Sequence, residues 1–326
     1  GKSTGFCQRH FDNTESPYCP EWATQKTGNL TRSAVTLSSI RDDVRSYKGH
    51  NIARPTSELL DQVIRDAYQA FKIPSVNPIH LNDITEITLE NANASPGLPW
   101  KNLGYNTKKS VLNDPRAFNS IRTFWHRVKE GNDQAPPDCA AYLRSHIVEE
   151  GEVKVRAVWG YPATVSFQEA CFALPLIQAY KNSRAPIAYG YETARGGCNK
   201  IHRRFVGYNN YLSSDYKSFD KTIPSWLIRV AFDILASNVD FRSYQVRGIP
   251  NSTKLFRAWL KLVDYFIKTP IRLCNGERYR KNMGVASGSY FTQLIDTIVN
   301  YIVTRYAILK TDVEIKDMLL FGDDSL

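Results

Sequence analysis

The end of the chain, residues 318–326, holds the sequence feature that most restricts what this protein can fold into. An apolar run ending at Phe321 predicts a buried strand, and Gly322 permits a turn conformation that most residues avoid. Two adjacent carboxylates, Asp323 and Asp324, follow at the tip of that turn. Adjacent like charges repel one another and are costly to desolvate, so the pair indicates a bound cation unless the turn is simply solvated.

A second acidic pair, Asp215 and Asp220, lies upstream and favours the bound cation over the solvated turn. Residues 211–220 are predicted to begin as a strand and to end in a turn, and a helix is predicted to start at Pro224. Asp215 would then stand at the end of a strand, where a carboxylate can hold a metal ion in a crevice. Asp220 could instead only favour the N-terminus of the helix electrostatically.

The overall charge points to a polyanionic partner. The chain has 326 residues, a net charge of +10 and a pI of about 9.2, which favours nucleic acid as the first candidate. Its six cysteines include no CxxC pair, as is typical of a reducing compartment. No stretch is long and apolar enough to predict a membrane span. The chain starts without Met and stops just after the acidic turn, so we expect a fragment of a longer protein.

A basic strand is predicted at residues 154–162, KVRAVWGYP. Lys154 and Arg156 would share one face of it, and Arg144 lies upstream on the expected partner strand. Two or three cations on one face suit a triphosphate, because arginine offers a bidentate fork and lysine a point charge. A basic strand that faces only solvent is the alternative.

Two loops of unusual composition accompany these motifs. Residues 95–100, SPGLPW, predict a rigid turn that forms either a ledge for a nucleic-acid strand or a plain surface loop. Residues 284–300 predict a glycine–serine loop that runs into a long helix. That helix carries Thr292, Asp296 and Asn300 one turn apart, as a polar stripe that faces either a site or solvent.

Hydrophobic periodicity predicts the scaffold. Residues 1–50 are polar and predict an irregular arm. Pro175 is predicted to kink the helix that contains it or to end that helix early. Asn275 and Gly276 predict a two-residue hairpin between two strands. Helices with an apolar face are predicted at residues 57–72, 163–181 and 253–268.

In this order, five segments resemble the motifs of the viral RNA-dependent RNA polymerases, and most closely those of the partitivirus group of double-stranded RNA viruses. The segments are SPGLPW at 95–100, KVRAVWGYP at 154–162, DYKSFDKTIPSWL at 215–227, GVASGSYFTQL at 284–294 and FGDDS at 321–325. The resemblance implies an α+β right-hand polymerase fold with fingers and palm, an antiparallel palm sheet flanked by helices, and no thumb in this chain. It implies an N-terminal arm and fingers (1–90), fingers with the template and nucleotide motifs (91–205), a first palm part (206–236), an insertion between fingers and palm (237–274) and a second palm part (275–326).

The same resemblance implies roles for individual residues. The catalytic, metal-binding carboxylates would be Asp215 and Asp323, with Asp324 in support, and the cofactor would be two Mg²⁺ ions, which Mn²⁺ could replace. Asp220 would read the ribose 2′-hydroxyl of the incoming nucleotide. The other nucleotide-binding residues would be Arg144, Lys154, Arg156, Ser287, Thr292 and Asn300. The template-binding residues would be Ser95, Gly97, Pro99 and Gly288.

Two departures from the family pattern bear on activity. Asp296 stands where the family often has an asparagine, and an ionised carboxylate cannot donate to a ribose hydroxyl as an amide does. The chain also stops at Leu326, so we expect it to lack the strand that pairs with residues 319–321 and, by itself, to be inactive or nearly so. The resemblance implies template and nascent RNA, nucleoside triphosphates and a viral capsid protein as partners, no membrane, and a location in the host cytoplasm inside the virion.

Two other functions stay open at this point. A reverse transcriptase shares the palm and the metal carboxylates, although Gly322 stands where that family usually has a methionine-type residue, and Asp220 where it tends to have a bulky one. A basic RNA-binding protein without chemistry would explain the net charge of +10. It would not explain two acidic motifs, because these repel phosphates unless a cation intervenes.

Overall fold

The computed structural model describes residues 30–311 and 313–326. The α-helices are α1 (Leu37–Arg45), α2 (Glu58–Ala70), α3 (Lys108–Asn113), α4 (Pro115–Lys129), α5 (Ala163–Lys181), α6 (Gly197–Phe205), α7 (Phe219–Thr222), α8 (Ser225–Ala236), α9 (Ser252–Ile267) and α10 (Thr292–Thr311). Short 3₁₀-helices occupy Leu81–Glu86 and Thr193–Arg195. The helices predicted from apolar periodicity are confirmed as α2, α5 and α9, and those predicted after Pro224 and after the glycine–serine loop are α8 and α10.

The first described segment corrects the prediction of an irregular arm over residues 1–50. Residues 1–29 lie outside the described ranges, but a strand and helix α1 follow them. The hydroxyl of Thr36 accepts a hydrogen bond from the backbone N–H of Ser39, which satisfies a free donor at the start of α1. Leu37, Ile40 and Val44 recur at helical spacing along α1, a pattern that could have predicted this helix.

The strands form one four-stranded sheet and two short pairs. They are β1 (Leu30–Arg32), β2 (Cys139–Ser145), β3 (Ile147–Glu149), β4 (Val155–Gly160), β5 (Pro270–Arg272), β6 (Arg278–Arg280), β7 (Leu320–Phe321) and β8 (Asp324–Ser325). The sheet has the order β4–β2–β5–β6, with β2 and β5 parallel and the other neighbours antiparallel, while β1 pairs with β3 and β7 with β8. Asn275 and Gly276 connect β5 to β6, which confirms the predicted hairpin.

Helix α5 is buried on nearly every side. It runs through Pro175 to Lys181, so of the two predicted outcomes the early end is wrong, while the kink stays a prediction. Proline has no N–H to donate to the carbonyl four residues before it, which leaves the carbonyl of Cys171 without its helical partner. The backbone N–H of Ile79 donates to that carbonyl over 2.8 Å, and this bond from outside the helix offsets the loss.

A cluster of aromatic rings joins the elements next to the acidic and glycine–serine motifs. Phe232 of α8, Trp259 of α9 and Phe291, just before α10, meet edge to face with ring centroids 5.2–5.8 Å apart. All three side chains are almost fully buried. Each such pair adds about 0.5–1.5 kcal/mol to the burial of its rings. The cluster therefore fixes α8, which follows Asp220, relative to the start of α10.

The C-terminal hairpin is paired on both sides, which corrects the prediction of a lost partner strand. β8 pairs with β7, and Leu319 and Leu326 exchange backbone hydrogen bonds of 2.8 and 2.9 Å. On the other side of β7, the Leu320 N–H donates to the carbonyl of Pro186, and the Leu320 carbonyl accepts from Ala188. The edge of β7 is therefore covered, because the residues after the acidic turn are themselves the returning strand.

The segment predicted to begin as a strand at residues 211–220 does not form one. Only Ser214 is bridged, antiparallel to Ser325, while Leu212 is exposed. The strand β8 is two residues long and offers little edge for a neighbour. Asp220 lies inside the short helix α7 instead of in a turn.

Candidate active site

The acidic turn is a two-residue hairpin loop between β7 and β8. Gly322 occupies its first central position with φ of +67°, a conformation open to glycine, and Asp323 occupies the second. Helix α10 supports the turn, because the Gly322 N–H donates to Thr297 Oγ1 over 2.9 Å. The Asn300 amide donates to the carbonyls of Gly322 and Asp324 over 2.9 and 3.2 Å. The turn therefore presents its two exposed carboxylates on a fixed support.

The structure brings the two acidic motifs together. Ser214 and Ser325 are bridged, with one hydrogen bond between their backbones and another between their hydroxyls. Asp215 follows Ser214 and Asp324 precedes Ser325, so the antiparallel register makes the two acidic residues neighbours. The negative charge of Asp215 accordingly contributes to raising the pKa of Asp324.

Repulsion runs through the whole acidic cluster, which we define as Asp215, Asp220, Asp296, Asp323 and Asp324. Burial raises the pKa of Asp324, and the charges of Asp323 and Asp215 raise it further. Burial also raises the pKa of Asp296 well above its usual value, and repulsion from Asp323 and Asp220 adds to the effect. Like charges gathered in this way are stabilised by a cation among them.

The donor set fits a divalent cation that prefers oxygen ligands, such as Mg²⁺ or Mn²⁺, because such an ion would relieve the repulsion. Oδ1 of Asp296 is buried and has no hydrogen-bond partner among the described residues. A buried oxygen of this kind normally has a partner, and a cation could supply one. Within residues 30–311 and 313–326, no three acidic, histidine or cysteine side chains are positioned to hold one ion together.

Asp220 lies in α7 and is fixed from two sides. Its backbone carbonyl accepts from the Val285 N–H over 2.6 Å, in the loop that precedes α10. Its carboxylate Oδ2 accepts from the hydroxyl of Tyr47 over 2.6 Å. Burial, the charge of Asp220 and this hydrogen bond all raise the pKa of Tyr47, so the phenol stays protonated and remains a donor.

The glycine–serine loop lies against β4. The Trp159 N–H donates to Ser287 Oγ over 3.3 Å. Gly288 has φ of +97°, and a Cβ there would lie 2.1 Å from the carbonyl oxygen of Trp159, so a side chain does not fit. At the start of α10, Thr292 Oγ1 donates to the carbonyl of Ala286 over 2.8 Å. Ser287 and Gly288 remain exposed at the surface of the site.

Glu169 of α5 supports the same loop from the core, a role that the sequence reasoning missed. Its Oε1 accepts from the hydroxyl of Ser289 over 2.7 Å, and its Oε2 accepts from the Tyr290 N–H over 3.1 Å. Burial raises the pKa of this carboxyl to about 7. A single carboxylate within an apolar helix is itself a signal of a buried polar contact.

The cations predicted to bind a triphosphate lie on and beside two paired strands. Arg144 lies on the partner strand, as predicted, and the register places Arg144 of β2 opposite Arg156 of β4. Both are exposed, as is Lys154. Burial lowers the pKa of His146, and the charges of Arg156, Lys154 and Arg144 lower it further. The positive charges of all three side chains are therefore felt at His146. Like charges directly opposite each other on paired strands repel, and an anion bound between the two arginines would relieve that repulsion.

The SPGLPW turn is confirmed and packs against the start of α5. Gly97 is buried with φ of +67°, and a Cβ there would lie 2.8 Å from the Cα of Pro162. The hydroxyls of Ser95 and Tyr142 are hydrogen-bonded. Pro99 is exposed. Of these predicted template residues, Gly97 therefore shapes the turn from within, while Pro99 faces outward.

Asn300 lies beneath the acidic turn and is fully buried. Its amide is bonded to the backbone of the turn, and its predicted contact with a nucleotide stays a prediction.

Besides Glu169, two further supporting residues were not predicted, Thr297 and Tyr47. Thr297 lies three residues before Asn300 on the same helix face, a spacing that could have identified it. Tyr47 lies in the segment that was predicted to be irregular, so no local signal marked it.

Comparisons with known proteins identify the family of this chain. A family model described as viral RNA-dependent RNA polymerase matches residues 9–326. The chain is similar to the RNA-directed RNA polymerase of Cryptosporidium parvum virus 1 (strain KSU-1), at 34% identity over 241 residues that cover 71% of this chain and 42% of that protein. It is also similar to the RNA-directed RNA polymerase of Atkinsonella hypoxylon virus (isolate 2H), at 27% identity over 56% of this chain and 34% of that protein. The chain spans less than half the length of these curated relatives.

Among solved structures, the fold is similar to the Sicinivirus 3Dpol RNA dependent RNA polymerase. The TM-score is 0.72 at 17% sequence identity, over 91% of this chain and 64% of that chain. This likeness confirms the predicted α+β polymerase fold. Among the described residues, no helix combines the length and the apolar character needed to cross a bilayer.

Proposed function

The chain belongs to the viral RNA-dependent RNA polymerases, and we propose that in the full-length protein its acidic cluster catalyses template-directed RNA synthesis by nucleotidyl transfer. The observation that supports this most directly is the bridge between Ser214 and Ser325, because it makes Asp215 a neighbour of Asp324. Acidic residues so far apart in sequence repel each other, and a shared cation is the physical reason to gather them.

We propose that Asp215, Asp323 and Asp324 hold two Mg²⁺ ions, which Mn²⁺ could replace. Such ions, when bound, stabilise charge on the phosphate oxygens and make the attacking 3′-hydroxyl more acidic. The protein's own contribution is to fix the carboxylates before substrate arrives, through the bonds of Thr297 and Asn300 to the turn. Fixed charges need little rearrangement during the reaction.

The remaining roles follow from charge and exposure. We propose that Arg144, Lys154 and Arg156 bind the triphosphate, since all three are exposed and the charges of all three affect the same residue, His146. Asp220 accepts a hydrogen bond from the ribose 2′-hydroxyl, which separates ribonucleotides from deoxyribonucleotides. The residues proposed to guide the template or to line the nucleotide site are Ser95, Pro99, Ser287, Gly288 and Thr292. Gly97 and Asn300, which are buried, are proposed to support them from beneath the surface.

We also propose that the partners are template RNA, nascent RNA and nucleoside triphosphates, and that the full-length protein works with a viral capsid protein inside the virion, in the host cytoplasm. The matched parts of this chain cover 42% and 34% of two relatives named RNA-directed RNA polymerase. We therefore expect this chain on its own to be inactive or nearly so.

RNA synthesis on a template by the full-length protein tests the proposal. We expect incorporation of ribonucleotides that requires Mg²⁺ or Mn²⁺, and a loss of at least about a hundredfold for Asp215→Asn and for Asp323→Asn. Asp133→Asn is the matched control, because the Asp133 side chain is 98% exposed and should tolerate the change. Unchanged synthesis by both site variants would contradict the proposal, and so would a preference for deoxyribonucleotides.

A further inference from the structure

A hydroxyl from the N-terminal part of the described chain reaches the acidic cluster. Tyr47, two residues after the end of α1, donates to Asp220 Oδ2 over 2.6 Å. Tyr47 is only 3% exposed, and its ring packs edge to face on Trp159 with centroids 5.2 Å apart. The phenol therefore has little freedom to turn away from the carboxylate.

A second contact ties the same two segments together. One oxygen of Asp43, in α1, accepts from the Ala157 N–H of β4 over 2.7 Å. The other oxygen pairs with the ammonium of Lys221, the residue after Asp220. Asp43 and Tyr47 thus connect α7 to the basic strand. Tyr47 contacts Asp220 itself, and Asp43 contacts the next residue, Lys221.

Asp220 depends on the Tyr47 hydroxyl for a hydrogen-bond donor. Asp296, on α10, is close enough to Asp220 for the two charges to repel. Within the described ranges no hydrogen bond joins Asp296 to Asp220, so Asp296 does not orient the Asp220 carboxylate. Among the described residues, Tyr47 is the side chain that donates to Asp220, and Asp220 Oδ1 has no hydrogen-bond partner.

We propose that Tyr47 is a positioning residue for ribose selection. It holds Oδ2 of Asp220 and leaves Oδ1 directed to accept from the 2′-hydroxyl of an incoming ribonucleotide. The inference rests on the proposed function, since it assigns Asp220 to the sugar. It extends that function to α1 and the residues after it, which then belong to the active site although they hold none of the polymerase motifs.

Tyr47→Phe in the full-length protein tests this role, because phenylalanine keeps the ring and removes only the hydroxyl. The measurement is kcat/KM for ATP and for 2′-deoxy-ATP. We expect the ratio of the two to fall about tenfold, through a loss for ATP, since a hydrogen bond to a charged group is lost. Tyr180→Phe is the control: Tyr180 is 1% exposed, and its hydroxyl donates to the carbonyl of Phe71 over 3.0 Å, with no contact to the acidic cluster.

Equal losses for ATP and 2′-deoxy-ATP would overturn the proposal, because a merely structural role lowers both. An unchanged ratio would overturn it as well. Equilibrium binding of the two nucleotides with Mg²⁺ gives a reading without turnover, and the same tenfold fall in the affinity ratio is expected. If the wild-type protein makes no RNA, the proposed function fails, while this affinity ratio still decides the role of Tyr47.

Asp43→Asn is a second, independent variant, which decides the matter if Tyr47→Phe does not fold. It weakens the contact with Lys221 and leaves Tyr47 in place. We expect a smaller fall in the same ratio, and an unchanged ratio in a folded Asp43→Asn protein would overturn the proposal.

Discussion

The side-chain amide of Asn300 donates a hydrogen bond of 2.9 Å to the carbonyl oxygen of Gly322, the residue before Asp323. The same helix supplies Thr297, whose hydroxyl accepts from the Gly322 N–H over 2.9 Å. Both polar groups of the Gly322 backbone are therefore satisfied by α10. The packing of this helix in the core sets the position of the acidic turn, so the turn can be disturbed without changing any carboxylate.

Thr297→Val should displace the acidic turn. Valine keeps the shape of threonine but cannot accept a hydrogen bond, so the buried Gly322 N–H loses its partner. We expect the free energy of unfolding to fall by about 1–3 kcal/mol. Thr297→Ser keeps the hydroxyl and should cost only about 0.8 kcal/mol for the lost methyl group. Urea denaturation measures both, and equal losses for the two variants would contradict the role of the hydroxyl.

Gly288→Ala should be far more damaging than Gly276→Ala. Both glycines have positive φ, of +97° and +90°, so both substitutions carry about 1–2 kcal/mol of backbone strain. A Cβ at Gly288 would also lie 2.1 Å from the carbonyl oxygen of Trp159, whereas a Cβ at Gly276 meets nothing within 4 Å. The difference in the free energy of unfolding should exceed about 2 kcal/mol. Thermal unfolding of the two variants checks this, and equal melting temperatures would show that the loop relaxes freely.

The buried Glu169 carboxyl should make stability depend on pH. Burial raises its pKa from 4.5 to about 7 in the folded chain, so the folded state holds this proton more tightly than the unfolded state. Stability due to the protonated carboxyl is then present below pH 4.5 and is lost as pH rises to about 7. The loss amounts to about 3 kcal/mol at most.

Glu169→Gln isolates this effect, because the amide does not titrate and other groups cancel in the comparison. Urea midpoints of both proteins, measured from pH 4.5 to pH 8, should show the wild type losing stability relative to the variant as pH rises to about 7. Parallel curves over that range would mean that Glu169 is ionised in the folded chain at every pH tested.

Arg156→Gln should weaken nucleotide binding more than it slows the chemical step. Arg156 is exposed beside Arg144, so the contribution proposed for its charge is mainly attraction of the triphosphate. We expect KM for the nucleotide to rise about tenfold in the full-length protein, with kcat little changed. The effect should shrink at high salt, because exposed charges are screened. Arg127→Gln, at an exposed arginine of α4, is the control, and an equal rise in KM there would indicate a general charge effect.

Local patterns in the sequence predicted most of the helices and much of the site. The alternation of residues 154–162 predicted a strand with Arg144 on its partner, although not the register that places Arg144 opposite Arg156, and the hairpin at Asn275 and Gly276 followed from turn chemistry. The convergence of Asp215 with the acidic turn was expected only from the family resemblance. In the structure it depends on a single bridge, between Ser214 and Ser325.

Contacts between distant segments could not be predicted. Tyr47 and Asp220 are 173 residues apart, and nothing in the polar segment around Tyr47 indicates which carboxylate its hydroxyl will reach. Helix α5 continues past Pro175 because Ile79, far from it in sequence, supplies the missing hydrogen bond. In both cases the hydrogen-bond partner lies in a distant segment of the chain. The hydrophobic periodicity and helix propensity of a short stretch of sequence therefore hold no information about that partner.

The two halves of the acidic cluster are anchored very unequally. β7 is held between β8 on one side and residues 186–188 on the other. Ser214 is held to Ser325 by one backbone bond of 3.3 Å, by the bond between their hydroxyls and by a bond of 3.4 Å from the Ser325 hydroxyl to the Ser214 carbonyl. Parting those two serines would separate Asp215 from Asp324 without unravelling the hairpin. The spacing of Asp215 and Asp324 therefore depends on this serine pair and not on the hairpin itself.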